Sequence, residues 1–160
     1  MAHPLEDTLI AKQITPTAMR LLILDVLVQQ SAALSLADVE ALLQPADRIT
    51  VHRTLKTFTD KGLVHRIEDG SGAVKFALCE PRCTPQHHQD LHVHFFCTRC
   101  RETACLPAVA VPVIALPEAY QVQETSLVMK GLCPAARATR QPLLKQCNSI
   151  ASPGARGLSS

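Results

Sequence analysis

The sequence predicts an α+β chain in two parts: an N-terminal winged helix-turn-helix, then a small α/β domain built mostly from strands. Three observations predict it. Apolar residues recur at helical spacing up to about residue 63. A "DGSG" turn between two short alternating runs follows. Past a polar linker the alternation resumes with the period of a strand. At 160 residues the chain suits one ordinary domain or two small ones.

Taken in order, "PTAMRLLILDVLVQQ" sets Met19, Leu22, Ile23, Val26 and Leu27 on one helix face, with Pro16 suited to the first turn. A shorter helix fits "SLADVEALLQ", with Ser35 as N-cap and Pro45 just past its end. A third fits "TVHRTLKTFTDKG", between Thr50 and Gly62. Its Val51, Leu55 and Phe58 share a face, which turns His52, Arg53, Lys56 and Thr57 outward. "LVHRIEDGSGAVKFAL" then reads as a hairpin. Three helices and a hairpin give the order of a winged helix, an order other small α+β domains share. Residues 79–91, "CEPRCTPQHHQDL", form a linker, and strands resume in "HVHFFC", "ETACL" and "YQVQETSLVMKG". From Pro134 the chain is rich in Ala, Ser, Arg and Pro and loses periodicity, so a disordered tail is expected over 134–160. The expected division is 1–78, 79–91, 92–133 and 134–160.

Charge is nearly balanced, 16 basic residues against 14 acidic, so overall charge gives no reason to expect nucleic acid. The local balance does: residues 48–75 hold Arg48, Arg53, Lys56, Lys61, Arg66 and Lys75 against Asp60, Glu68 and Asp69. A helix-turn-helix lays its second helix in the major groove, where phosphate contacts set register and base contacts set specificity. The expected DNA-facing residues are Thr50, His52, Arg53, Lys56, Thr57, Arg66 and Lys75. No charged segment followed by an apolar run opens the chain, so no signal peptide is expected. The longest apolar run, "LPAVAVPVIALP", has 12 residues and three prolines, too short and broken to cross a bilayer. A cytoplasmic location follows, where an odd count of seven cysteines points to metal ligation rather than disulfides.

"HVHFFCTRC", residues 92–100, concentrates the metal chemistry. His92 and His94 fall on one strand face, where both imidazoles reach one ion. Cys97 and Cys100 have the spacing of half a structural zinc site. The same spacing also suits a redox pair, although the βαβ context of one is missing. Cys133 in "GLCPAA" is a third thiol, and position 136, where a second CxxC would end, is Ala136. A zinc hydrolase would need His92, His94 and a third ligand around an open position, together with a general base. No HExxH occurs, so neither an enzyme nor a small organic substrate is expected.

The runs "ITVHRTLKTFTDKGLVHRI", "HVHFFCTRC" and "LVMKGLCP", in this order over residues 14–134, resemble the ferric uptake regulator family of metal-sensing repressors. The resemblance implies a homodimer that binds palindromic double-stranded DNA through a winged helix, with metal at the hinge setting the geometry. His52 stands where the family usually has tyrosine, beside the expected Arg53. For the regulatory site it implies His92 and His94, and, in the zinc-sensing branch, His65 near the start of the wing and Cys79 at its end. Cys105 falls where the iron branch has a glutamate, as a substitute or fifth ligand. The other iron-branch positions are Ala33 and Ala77, which bind no metal. An accessory site would need ligands at Leu91 and Val93, both apolar, so none is expected. The structural site would use Cys97, Cys100 and Cys133, with the fourth position left to Cys147, or the site three-coordinate, weakened or lost. Thiolate and imidazole favour Zn²⁺ over Fe²⁺, the alternative regulatory metal in an iron- or peroxide-sensing relative. A purely structural zinc in a DNA-binding protein is a further alternative. In the dimerisation domain "LPAVAVPVIALPEAY" replaces a helix common in the family, so this domain is expected to be smaller and more strand-like.

Overall fold

The computed structural model describes residues 4–79, 92–123 and 125–138. Helix α1 (Pro4–Ala11) packs on α2 (Ala18–Gln29). The cap of α2 is Thr17, whose hydroxyl accepts from the Arg20 N–H at 3.4 Å, so Pro16 lies outside the helix instead of in its first turn. The helix buries Ile23, Leu24 and Leu27, while Leu22 is half exposed. "LLILDVLV" is apolar on nearly every side, so spacing alone chose a face rotated from the one that packs.

Strand β1 (Ala32–Ser35) is too short to announce itself by alternation. It runs directly into α3 (Leu36–Leu42), where Ser35 and Asp38 cap each other reciprocally as a capping box. Helix α4 (Arg48–Asp60) begins earlier than expected because Asp47 accepts from the Thr50 N–H at 3.0 Å. Thr50 therefore sits inside the first turn rather than before it. Val51, Leu55 and Phe58 are fully buried, and with Leu9, Ile14, Ile23, Leu24 and Val39 they make the helical core. Gly62, at φ +65, lets the chain leave α4.

Strands β2 (Val64–Ile67) and β3 (Lys75–Leu78) form the hairpin, closed by a turn in which Gly70 and Gly72 take positive φ. Three strands follow: β4 (His92–Cys97), β5 (Thr103–Ala110) and β6 (Leu127–Gly131). Residues 111–123 belong to no helix or strand, so only the end of "YQVQETSLVMKG" is extended. The tail begins ordered: α5 (Pro134–Ala138) is helical and Ala136 is fully buried, contrary to a disordered stretch starting at 134. The remainder of that stretch, with Cys147, and linker residues 80–91 lie outside the described residues.

The six strands of the described residues belong to one sheet in the order β2-β3-β1-β5-β4-β6. Strand β1 joins its halves: Leu34 and Ser35 pair with β3, while Ala32 and Ala33 pair with β5. In a flat sheet β2 and β4 would stand four spacings, roughly 19 Å, apart. Instead His65 on β2 touches His94 on β4 at 3.1 Å, so the sheet bends over at β1.

A buried polar bridge spans the same fold. Lys75 Nζ lies 2.8 Å from Asp69 Oδ2, donates to Thr103 Oγ1 at 2.9 Å and to the Arg101 carbonyl at 2.7 Å, and lies over the Phe96 ring. Thr103 donates to Asp69 in turn. Burial pushes the Asp69 carboxyl up, but hydrogen bonds from Lys75, Ser71 and Thr103 outweigh it and hold the group far below its ordinary range. Lys75, expected at the DNA face, is therefore turned inward, with 6% of its surface exposed. Its ammonium is consumed in tying the wing to β5.

Candidate metal centre

His92 and His94 alternate along β4 and so project to one face, the spacing that first marked them. The register sets Cys105 of β5 directly opposite His94. His65 comes from the wing strand β2, and the bend at β1 carries it over this face. The three rings stand with centroids 4.7 to 5.4 Å apart and are each buried to within 8% of full enclosure. His65 Nε2 lies 3.1 Å from His94 Nε2 and 3.9 Å from Cys105 Sγ. One donor atom from each of His65, His92, His94 and Cys105 falls within 4.8 Å of every other. Cys79, just past β3, meets the opposite nitrogen of His65, its Sγ 3.6 Å from Nδ1.

The fit to a metal can be tested on these distances. Ligands at tetrahedral zinc would stand about 3.3 Å apart for two nitrogens and about 3.6 Å for nitrogen and sulfur, from bond lengths of about 2.0 and 2.3 Å. The 3.1 and 3.9 Å separations lie within a few tenths of those edges. His92 Nε2 is buried without a hydrogen-bond partner among the described residues, an expensive arrangement for a polar atom unless a ligand satisfies it. The residues fit a borderline-soft ion held by imidazole and thiolate. Ala33 is buried in β1, Ala77 faces His65 across the hairpin, and Val93 is core. Leu91 lies outside the described residues.

A second cluster lies at the far end of β4. Cys97 ends that strand, Cys100 follows in the turn and Cys133 precedes α5, their sulfurs within 4.8 Å of one another. Cys100 Sγ and Cys133 Sγ are 4.0 Å apart, near the edge of about 3.8 Å for two thiolates on one tetrahedral zinc. Burial opposes a charged Cys97, but N–H groups of Cys133, Cys100 and Arg99 draw its thiol down to about 6. Ala136 donates its N–H to Cys133 Sγ at 3.3 Å, so position 136 contributes backbone rather than a fourth thiolate. None of the described cysteines forms a disulfide.

The outward face of α4 and the wing forms a groove of about 620 Å³ whose lining includes Arg48, His52, Lys56, Arg66 and the wing tip at Gly72 and Ala73. His52, Arg53, Lys56 and Arg66 are exposed. Arg48 pairs with Glu40, Lys56 with Asp60 and Arg66 with Glu68, all at the surface, where such pairs are weak and readily exchanged for phosphate. The hydroxyls of Thr50 and Thr57 donate locally, to the cap carboxylate of Asp47 and to the Arg53 carbonyl. Asp69 and Thr103, the partners of Lys75, were not singled out from sequence. Asp69 ahead of a Gly-Ser-Gly turn signalled the turn, and nothing local signals a contact 34 residues away.

A winged helix whose wing meets a strand-built half through imidazoles and a thiol is a DNA-binding type of fold that carries candidate metal ligands where the halves meet. The sequence model of the ferric uptake regulator family matches residues 11–115, and the chain belongs to that family. Its members are DNA-binding regulators, not enzymes. No curated protein sequence is a match. Among solved structures, a zinc uptake regulator complexed with zinc and DNA is similar, with TM-score 0.61 and 21% identity over 83% of this chain and 90% of that one. The Vibrio cholerae ferric uptake regulator has TM-score 0.55 and 22% identity, over 80% of this chain and 98% of that one. The Pseudomonas aeruginosa ferric uptake regulator with manganese has TM-score 0.55 and 19% identity, over 80% and 96%. At these identities the likeness is one of fold. No helix among the described residues is long and apolar enough to cross a membrane.

Proposed function

We propose that the protein is a zinc-sensing transcriptional repressor that binds palindromic operator DNA as a cytoplasmic homodimer. The observation that carries this reading is the convergence of His65, from the wing, with His92, His94 and the Cys105 thiol of the opposite half. Bound there, Zn²⁺ would supply a cross-link among donors from both halves of the bent sheet. His65 holds the wing, His92 and His94 hold β4, and the Asp69–Lys75–Thr103 bridge limits how far the two can part. Cys97, Cys100 and Cys133 hold a second, structural zinc. His52, Arg53, Lys56 and Arg66 meet the DNA, with Thr50 and Thr57 beside them. Exposed Val113, Ile114, Leu116, Tyr120 and Val122 in the second domain support a surface that a second copy covers. Two copies then present their α4 helices to half-sites about one DNA turn, roughly 34–36 Å, apart.

Metal shifts DNA affinity only by favouring one arrangement over another, a coupling typically of about 1–3 kcal/mol. Anisotropy of a labelled duplex from the protein's own promoter region, titrated under buffered zinc and then buffered ferrous iron, tests the reading. Binding should tighten at low free zinc and reverse with chelator. Tightening with iron alone would move the protein to the iron-sensing class, and indifference to both metals would remove sensing altogether.

A further inference from the structure

Two thiols flank His65, and the ring sorts them. Its Nε2 faces His94 Nε2 and Cys105 Sγ, at 3.1 and 3.9 Å, while its Nδ1 faces Cys79 Sγ at 3.6 Å. The two nitrogens of an imidazole point away from each other, so one ion cannot be bound by both. An ion reached by His65 together with His92 and His94 is met through Nε2, on the side of Cys105. It is Cys105 whose sulfur shares the mutual 4.8 Å span with the three histidines. His92 Nε2, without a hydrogen-bond partner among the described residues, belongs to the same four-residue group. Cross-strand pairing of Cys105 with His94 fixes that thiol on the rigid strand pair, whereas Cys79 ends the wing beside the linker.

We propose that Cys105 is the thiolate ligand of the regulatory site and that Cys79 is a positioning residue, accepting a hydrogen bond from His65 Nδ1–H. That bond leaves the lone pair of His65 on Nε2, aimed at the cluster. Metal-bound imidazoles generally donate their other N–H to an outer partner, most often a carboxylate or a carbonyl; here a sulfur fills that role. The inference rests on the cluster being the regulatory site, and it divides the two thiols between ligation and orientation.

Cobalt(II), added to the metal-free full-length dimer, reports the division through its thiolate-to-metal charge-transfer absorption. The contribution of Cys97, Cys100 and Cys133 is common to all variants and cancels in difference spectra. Cys105→Ser should lose one thiolate's share of the band. Cys79→Ala should keep the band in full while cobalt affinity at this site falls about 10- to 100-fold, the usual effect of removing an outer partner. Cys79→Asp, which restores an acceptor for Nδ1–H, should recover affinity with the band still complete. Loss of band intensity in either Cys79 variant, or its retention in Cys105→Ser, would overturn the assignment. If Cys105→Ser fails to fold, the two Cys79 variants decide alone, because a ligating Cys79 would take its share of the band with it. These spectra do not depend on DNA, so a metal-indifferent operator would end the sensing reading without touching them.

Discussion

Asp69 carries more consequence than its position in a surface turn suggests. Its carboxylate is almost completely buried, accepts from the Ser71 N–H at 2.7 Å, and faces the Lys75 ammonium and the Thr103 hydroxyl. Replacing both members of a buried ion pair by apolar groups can be neutral, but removing one strands the other's charge. Asp69→Asn should therefore destabilise the protein by about 3–5 kcal/mol in urea unfolding. The pH dependence has a definite sign. A carboxyl held below its ordinary 3.8 stabilises the fold above that value and loses its contribution as pH falls through the lower folded value. Wild-type stability should thus fall on acidification below about pH 4, the region where carboxylates normally protonate. The Asn variant should lack that component, and equal acid sensitivity in both would contradict the role given to Asp69.

At the scale of elements, α4 is the proposed reading surface and its charges are the adjustable part. Lys56 is exposed and paired with Asp60 four residues on, at 2.8 Å, a pair worth little in water. Lys56→Ala should weaken binding evenly across DNA sequences and lower the salt dependence by about one unit of slope. An altered sequence preference would instead place Lys56 on a base edge. The amphipathic pattern of this helix was legible in the sequence, since Val51, Leu55 and Phe58 at helical spacing are the residues it buries. Its start was not, because Thr50 and Asp47 both suit a cap and only the hydrogen bond from Thr50 N–H to Asp47 chooses. The strand β1 was invisible at four residues. Lys75 was misplaced for a related reason: alternation says which face a residue takes, but not that a bend at β1 covers that face.

Over the whole molecule, the candidate metal donors were legible as a set and their arrangement was not. "HVH" and the CxxC pair are local patterns that one strand and one turn realise. His65 and Cys105 lie 40 residues apart in the chain, and only the folded sheet decides which of His65's nitrogens meets which thiol. That sheet is continuous through β1, so the two halves are linked by backbone pairing, by the Asp69–Lys75–Thr103 bridge and, in the proposed holo state, by metal. The first two use none of the metal-ligating side chains. In the proposed reading, zinc adds the differential that fixes the wing against β4.

The affinity of the dimer for operator DNA, measured at buffered zinc and after chelation in wild type and in His65→Ala, tests that claim most directly. The wild type should bind about 5- to 150-fold more tightly with zinc, the range that 1–3 kcal/mol of coupling allows. His65→Ala should remain dimeric and bind with one weak affinity in both conditions. A zinc response in His65→Ala equal to that of the wild type would contradict a switch built on the wing histidine.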